Sequence, residues 1–267
     1  MLHDPDVEVA RPVIAIANDY PAAFELAQHT HRRGQFLHAT TGVIAVTTEH
    51  GAWIVPPQRG VWIPAETRHA VRMIGEVSTR SVMIDPAMSA ALDNRCRVVA
   101  VAPLLGSLLE EVAAIPSEYE ERGRDGLVMR LIVAEIELAP LIPLAVPFPS
   151  HPALAARCQA FIEAPNIKSS VDDWADALGL NRRSFTRLFR RETGMSFAEW
   201  RQQACLAMAL QKLVAGVPIT IIALDLGYDS SASFSTMFRR ALGVAPSQYR
   251  RVPRSQYVGA AVENWDV

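Results

Sequence analysis

The sequence predicts an α+β fold of two domains: an N-terminal β-barrel with a helical hairpin, then an all-helical C-terminal domain. Three observations support this prediction. Residues 35–84 are rich in Val, Ile, Thr and Trp, in short runs separated by Gly and Pro, which is typical of a β-sandwich or small barrel. Residues 98–138 carry apolar residues at helical spacing. Everything after a proline-dense stretch near residue 150 again has a helical pattern.

The length and the prolines set the expected domain boundaries. A chain of 267 residues with 50% hydrophobic content is long enough for two compact cores. Five prolines between positions 140 and 152 are too dense for a regular helix or strand. We therefore predict a β domain at 1–88, a helical linker or dimerisation segment at 89–140, a proline-rich boundary at 141–152, a helical domain at 153–253 and a C-terminal tail at 254–267.

The predicted hairpin at residues 98–138 has an apolar stripe on each of its two helices. Leu127, Leu131, Ala134 and Leu138 recur at helical spacing in the second of them. This stripe packs either on the β domain or on a second subunit, and the sequence leaves both alternatives open.

Charge is distributed unevenly along the chain. Residues 1–150 hold 12 Lys and Arg against 18 Asp and Glu, a formal charge of −6, whereas residues 151–267 hold 14 against 10, a formal charge of +4. The helical domain is therefore the part that is suited to approach a polyanion such as DNA.

Targeting signals and cysteine usage indicate the compartment. No apolar run reaches the roughly 18 residues of a membrane span, and Met1–Val9 carries acids where a signal peptide carries Lys or Arg. Cys96, Cys158 and Cys205 have neither disulfide-framework nor zinc-finger spacing. We expect a cytoplasmic protein with no membrane partner, and three packing thiols.

The strongest signal is an internal repeat in the helical domain. Leu188-Phe-Arg-Arg191 recurs 49 residues later as Met237-Phe-Arg-Arg240, and Leu178-Gly-Leu180 recurs at an offset of 48 as Leu226-Gly-Tyr228. The second copy therefore has one extra residue, near Asp229. Each copy combines a short helix, a glycine at the turn and an N-cap, which is the pattern of a helix-turn-helix.

In each copy the second helix, called the reading helix below, has one apolar stripe and one free face. Basic and hydroxyl side chains on such a free face contact phosphates and base edges in the DNA major groove. We therefore predict double-stranded promoter DNA as a partner. The predicted contacts are Arg182, Arg183, Thr186, Arg187 and Arg190 in the first copy, and Ser231, Ala232, Ser235, Thr236 and Arg239 in the second.

A long helix is predicted between the two copies. Ser196–Glu199 is a capping box that opens it, and Gly216 with Pro218 closes it. About 18 residues at 1.5 Å each make ~27 Å. A spacer of this length would set the reading helices near the ~34 Å between successive major grooves on one DNA face.

Residues 155–252 carry the pattern Trp174…Phe185-Thr-Arg-Leu-Phe-Arg190, then Ser233-Phe234…Pro246-Ser-Gln-Tyr-Arg250, and resemble the AraC/XylS family of transcription regulators. The resemblance implies a sensor for a small-molecule effector, a homodimer formed through the N-terminal part, and action with RNA polymerase. At Thr236 this sequence departs from the family, where an arginine is common, so we expect the first copy to dominate base recognition.

His29-Thr-His31…Gln35 and Pro64-Ala-Glu-Thr-Arg-His69 resemble the two half-motifs of a cupin barrel, with Gln35 in place of the usual glutamate. His29 and His31, two residues apart, are expected to share one strand face, with His69 on a neighbouring strand. This predicts a site for Zn²⁺, Fe²⁺, Mn²⁺ or Ni²⁺ formed by His29, His31, Gln35 and His69. The alternative is a metal-free cavity in which the histidines contact a small molecule.

These patterns predict a DNA-binding transcription regulator with an N-terminal sensor domain, not an enzyme. One alternative is a metal-dependent cupin enzyme with a helical appendage. It leaves the duplicated reading helices unexplained, and the sequence places no acid–base pair or nucleophile beside the histidines. A second alternative, an architectural DNA binder without an effector, has no use for a concave β domain.

Overall fold

The computed structural model describes residues 9–89, 92, 94–142 and 144–249 of the chain. The predicted C-terminal tail at 254–267 lies outside the described residues. A β domain with a helical hairpin precedes a domain made only of helices, so the predicted fold class is confirmed. Among the described helices, none combines the length and apolar character needed to cross a lipid bilayer.

The β domain contains ten strands within the described residues. They are β1 (Val13–Tyr20), β2 (Glu25–His29), β3 (Gly34–Ala39), β4 (Val43–Thr48), β5 (Gly51–Val55), β6 (Arg59–Ile63), β7 (His69–Ile74), β8 (Val77–Ile84), β9 (Arg97–Ala100) and β10 (Ala145–Pro147). They form two five-stranded antiparallel sheets, in the orders β1-β8-β3-β6-β9 and β10-β5-β4-β7-β2.

The two sheets face each other, and the inner strands of the first sheet have buried side chains on both faces. Strand β8 illustrates this, since successive side chains of a strand point to opposite faces. Thr79, Ser81 and Met83 face the second sheet and line a cavity there. Val82 and Ile84 point the other way, into a separate apolar cluster that the hairpin helices complete.

The helices begin with the hairpin, α1 (Pro103–Glu111) and α2 (Arg124–Leu138), and continue in the second domain. They are α3 (Pro152–Glu163), α4 (Val171–Ala177), α5 (Arg182–Thr193), α6 (Phe197–Val214), α7 (Ile219–Asp225), α8 (Ser231–Leu242) and α9 (Pro246–Tyr249). A cluster of six aromatic rings forms much of the core of the helical domain. These rings are Phe161, Trp174, Phe185, Phe189, Phe197 and Trp200.

Two segment predictions need correction. The helical segment at 89–140 contains strand β9, whose β-branched Val98 and Val99 are both buried as it pairs with β6. The boundary at 141–152 contains strand β10, which pairs with β5. Pro147 is tolerated there because β10 is an edge strand, where a missing N–H breaks no ladder on its free side.

The two domains share one continuous apolar core, because α6 packs on β4 and β10. The Trp200 indole Nε1 donates to the Pro147 carbonyl at 2.8 Å. Arg72 on β7 donates from Nη2 to Gln211 Oε1 on α6 at 3.2 Å. The second sheet is therefore attached directly to the long helix between the two helix-turn-helix units.

Candidate DNA interface and ligand site

The first helix-turn-helix unit consists of α4 and α5. Gly179 lies in the turn with φ +65°, a conformation that glycine adopts without steric cost. Asn181 caps α5 through its side chain, which accepts a hydrogen bond from the Ser184 amide at 2.9 Å. Gly194, with φ +76°, ends the helix. The predicted unit is therefore present at the predicted residues.

The second unit, α7 and α8, repeats this construction. Gly227 lies in the turn with φ +78°. Ser230 and Ser233 form a reciprocal capping box at the start of α8, and Gly243 ends the helix. Helix α6, which separates the units, has 18 residues and opens with the predicted capping box of Ser196 and Glu199. The sequence thus predicted both turns and all three caps.

The face of α5 opposite its buried phenylalanines is strongly basic. Arg182, Arg183, Thr186, Arg187 and Arg190 are all exposed, as predicted for DNA-contacting side chains. Arg182 is paired with Asp172 of α4 at 2.9 Å, and the Thr186 hydroxyl donates to the Arg182 carbonyl at 2.8 Å. Arg183 and Arg187 form no ion pair with any described residue. Their guanidinium groups are therefore available to an external anion or base edge.

The equivalent face of α8 carries less charge. Ala232, Thr236 and Arg239 are exposed, whereas Ser231 and Ser235 are half-buried. The Thr236 hydroxyl donates to the Ala232 carbonyl at 3.0 Å, so its proton is already used within the helix. The two predicted DNA-contacting faces are therefore unequal, and the first has the greater capacity for bidentate hydrogen bonds.

The three predicted histidine ligands come together at one end of the β domain. His29 ends β2 and pairs directly with His69 on β7. The sequence prediction that His31 shares the strand face of His29 was wrong, because β2 ends at His29 and His31 lies in the loop that follows. This loop still brings the His31 ring to 4.8 Å from the His29 ring, and ligand atoms of all three residues lie within 4.8 Å of one another.

Backbone hydrogen bonds determine which nitrogens of two of these histidines carry protons. Nδ1 of His29 lies 2.7 Å from the Ala27 carbonyl, and Nδ1 of His69 lies 2.8 Å from the Thr67 carbonyl. A carbonyl oxygen only accepts, so both Nδ1 atoms are donors, and in the neutral form of each ring Nε2 carries the lone pair. Nε2 of His69 is buried with no hydrogen-bond partner among the described residues. Burial lowers the pKa of His69 to about 4, so its ring is neutral near pH 7.

Gln35, the fourth predicted ligand, faces the same cavity from β3. Its Nε2 donates to Ser81 Oγ at 2.8 Å. Its Oε1 is buried without a hydrogen-bond partner in the described part of the chain. Gln35 therefore contributes an unpaired amide oxygen to the cavity that His29 and His31 also line.

His29, His31 and Gln35 line a cavity of about 220 Å³ between the two sheets, and the His69 ring lies behind them, 4.4 Å from the His29 ring. Sequence reasoning missed its other polar lining residues, Asn18, Tyr20, Thr30, Thr79 and Ser81. For two of these residues the sequence did offer a signal. Ile16, Asn18 and Tyr20 are spaced two apart along β1, which places their side chains on one face of the strand. None of the described lining residues is Asp, Glu, Lys or Arg. The apolar lining consists of Ile16, Leu26, Leu37, Val71, Met73 and Met83.

The hairpin carries an exposed apolar face. Leu127, Leu131 and Leu138 of α2 are 60%, 42% and 78% exposed, and Leu104 of α1 is 50% exposed. Met129, Ile132 and Ile136 of α2 are buried against the first sheet instead. The leucine stripe identified in the sequence thus does not pack on the β domain of its own chain.

Comparisons with known proteins extend over both domains. Residues 174–252 match a family model described as a helix-turn-helix domain. The chain is 32% identical over 221 residues to the HTH-type transcriptional regulator NimR of Escherichia coli strain K12, which covers 83% of this chain and 81% of NimR. It is 37% identical over 82 residues to the regulatory protein SoxS of Salmonella typhimurium, which covers 30% of this chain and 77% of SoxS. A crystal structure of ToxT from Vibrio cholerae O395 aligns over 90% of this chain and 97% of its own, with 13% identity and a TM-score of 0.37.

Proposed function

Since the chain belongs to the AraC family of helix-turn-helix transcription regulators, we propose that the exposed faces of α5 and α8 bind promoter DNA and that a small molecule or metal ion in the β-domain cavity controls this binding. The main support is the basic face of α5, which is exposed within a duplicated and fully capped unit. NimR, which aligns over most of both chains, is an HTH-type transcriptional regulator, so we favour regulation over the alternative of a metal-dependent cupin enzyme.

The two faces have different roles in this proposal. Arg183 and Arg187 are free to donate bidentate hydrogen bonds to guanine edges, with Arg182 and Thr186 beside them. Arg190 and Arg239, near the C-terminal ends of their helices, contact phosphates. On α8, the short side chains of Ser231, Ala232, Ser235 and Thr236 allow close approach to the groove but carry less sequence information.

The histidine cluster suits a divalent metal ion of the kind that imidazole binds, namely Zn²⁺, Fe²⁺, Mn²⁺ or Ni²⁺. His29, His31 and His69 would supply nitrogen ligands, and Gln35 an oxygen ligand. The carbonyls of Ala27 and Thr67 fix the His29 and His69 rings through their other nitrogens, as outer partners of metal ligands commonly do. A bound cation would satisfy the buried lone pairs of His69 Nε2 and Gln35 Oε1.

The rest of the cavity suits a small uncharged effector. Its described lining residues include no carboxylate, ammonium or guanidinium group to pair with an ionic ligand. Side chains such as Leu37 and Val71 would contact an apolar body, and Asn18 and Thr79 would bind polar substituents. This assignment holds with or without a metal ion at the histidine end.

Metal analysis tests the sensor assignment. We expect the protein purified without chelator to hold close to one equivalent of divalent metal, and the triple variant of His29, His31 and His69 to alanine to hold less than about a tenth. His50→Ala is the matched control, because the His50 side chain is 77% exposed and lies outside the cluster. Addition of Zn²⁺ should change the mobility shift of promoter DNA by the wild type but not by the triple variant. Equal metal content in both proteins would contradict the assignment.

We also propose that the chain forms a homodimer through the hairpin, with RNA polymerase as a further partner at the promoter. Leu127, Leu131 and Leu138 lie on one face of α2, and such a stripe is stabilised when a second copy covers it. Leu131→Glu is expected to halve the mass measured by analytical ultracentrifugation. Leu141→Glu, at a leucine that is 65% exposed but outside α2, should leave the mass unchanged. A wild type that is monomeric at all concentrations would contradict this proposal.

A further inference from the structure

The segment that leads into the first helix-turn-helix unit contacts the second unit, and the repeat pattern does not explain this contact. The segment Asn166–Ser169 lies between α3 and α4, directly before the Ser170 cap of the first unit. The Ile167 amide donates to the Leu226 carbonyl, in the turn of the second unit, at 2.9 Å. The entry to the first unit is therefore hydrogen-bonded to the turn of the second.

Three further contacts secure this segment. Asn166 Oδ1 accepts a hydrogen bond from the Lys168 amide at 2.8 Å, which gives the segment a tight turn. Lys168 Nζ lies 2.7 Å from Asp229 Oδ1, although both side chains are largely exposed and salt weakens such pairs. The Arg201 guanidinium of α6 donates to the Ser169 carbonyl. The segment is thus attached to the turn of the second unit and to the spacer helix.

The second copy of the repeat is adapted to this contact. Asp229 is the extra residue that shifts the repeat offset from 48 to 49, and it supplies the carboxylate for Lys168. Gly227 is also adapted, since a Cβ at this position would lie 2.3 Å from Asn166 Oδ1. At the equivalent Gly179 of the first unit, an added Cβ would meet no described atom within 4 Å. Gly227 therefore allows the Asn166 side chain to approach the backbone closely, in addition to allowing the turn.

We infer that Asn166–Ser169 is an inter-unit clamp that fixes the two reading helices in one relative orientation, and so restricts tight binding to DNA sites with one spacing. The inference rests on the proposed DNA contacts of α5 and α8. Helix α6 packs on helices of both units, and the clamp adds a direct hydrogen bond between the segment that leads into the first unit and the turn of the second. This link holds the second unit against rotation about the α6 axis. Asn166 and Gly227 are positioning residues, since they act through the reading helices.

The test compares two glycine variants that cost similar backbone strain. Gly179 and Gly227 have φ of +65° and +78°, so alanine is strained at both positions, but only at Gly227 does it collide with the clamp. The probe is a duplex selected by the wild-type full chain from a random library, together with versions that have one base pair added or removed between the two contacted grooves. Each base pair moves the second groove by about 3.4 Å and turns it by roughly 35°.

We expect the wild type and Gly179→Ala to lose about tenfold or more in affinity when the spacing changes, and Gly227→Ala to lose less than about threefold. Equal spacing dependence in the two variants would overturn the clamp. No selective binding of any duplex by the folded wild type would instead contradict the proposed function.

Amide hydrogen exchange provides a measurement that needs no variant. In the folded wild type the Ile167 amide is expected to exchange slowly, because it donates across the two units. Exchange at the rate of an open loop would overturn the clamp even if Gly227→Ala did not fold.

Discussion

Phe189→Ala is expected to destabilise the helical domain severely and to abolish DNA binding. Phe189 is fully buried on the inner side of α5, with ring centroids 5.4 Å from Phe197 and 5.7 Å from Trp200. Removing a buried phenylalanine ring costs about 3–5 kcal/mol of the free energy of unfolding. This loss is a large part of the whole free energy of unfolding of a typical protein. It corresponds to a lowering of Tm on the order of 10 °C.

The matched control is Phe24→Ala, which removes the same side chain where it is 38% exposed. It should change Tm far less, and thermal unfolding followed by circular dichroism checks both variants. The histidine cluster lies in the other domain, so metal content measured at low temperature should stay close to that of the wild type in Phe189→Ala. Phe189→Ala with a wild-type Tm and wild-type DNA affinity would show that this aromatic cluster does not support α5.

Arg187→Ala is expected to relax base preference at one or two positions of the DNA site, whereas Thr236→Ala changes it little. Arg187 is exposed and forms no ion pair with a described residue, so its guanidinium is free to bind a guanine bidentately. One such pair is worth about 1–3 kcal/mol of discrimination. The Thr236 hydroxyl at the corresponding place on α8 already donates to the Ala232 carbonyl, so its loss removes little discrimination.

Binding to a randomised site library measures both effects, and salt dependence separates them from phosphate contacts. Arg190→Ala and Arg239→Ala should each lower the slope of log affinity against log salt by about 0.9, with little change in base preference. The assignment of roles would be wrong if Thr236→Ala altered base preference more than Arg187→Ala.

The helix-turn-helix units could be predicted from the sequence because the information is local. The turn glycines, the Asn181 and Ser230 caps and the apolar stripe of α5 all lie within a few residues of the structure that they specify. The repeat then confirmed each feature by a second example. What the repeat did not predict was the inter-unit clamp, since Ile167 and Leu226 are far apart in the sequence.

The β domain was harder to predict because strands are defined by distant partners. Strand β10 pairs with β5, and β9 pairs with β6, in both cases across long stretches of chain, so proline content and local periodicity misled the boundary predictions. The histidines were identified from their spacing, but the end of β2 at His29, which places His31 in a loop, was not predicted. Whether Asn18 and Thr79 face the cavity depends on which face of each strand points inward. Only the pairing of the strands in the sheet decides that.

We propose that the chain recognises specific DNA through two unequal helix-turn-helix units. Incubating the purified full chain with fragments of genomic DNA, and sequencing the fragments that it retains, tests this proposal. We predict enrichment of fragments that share two contacted blocks about 10–10.5 base pairs apart, with affinity on the order of 10³-fold or more above that for unrelated DNA. Retention of all fragments to the same extent by the folded protein, at every salt concentration, would contradict the claim.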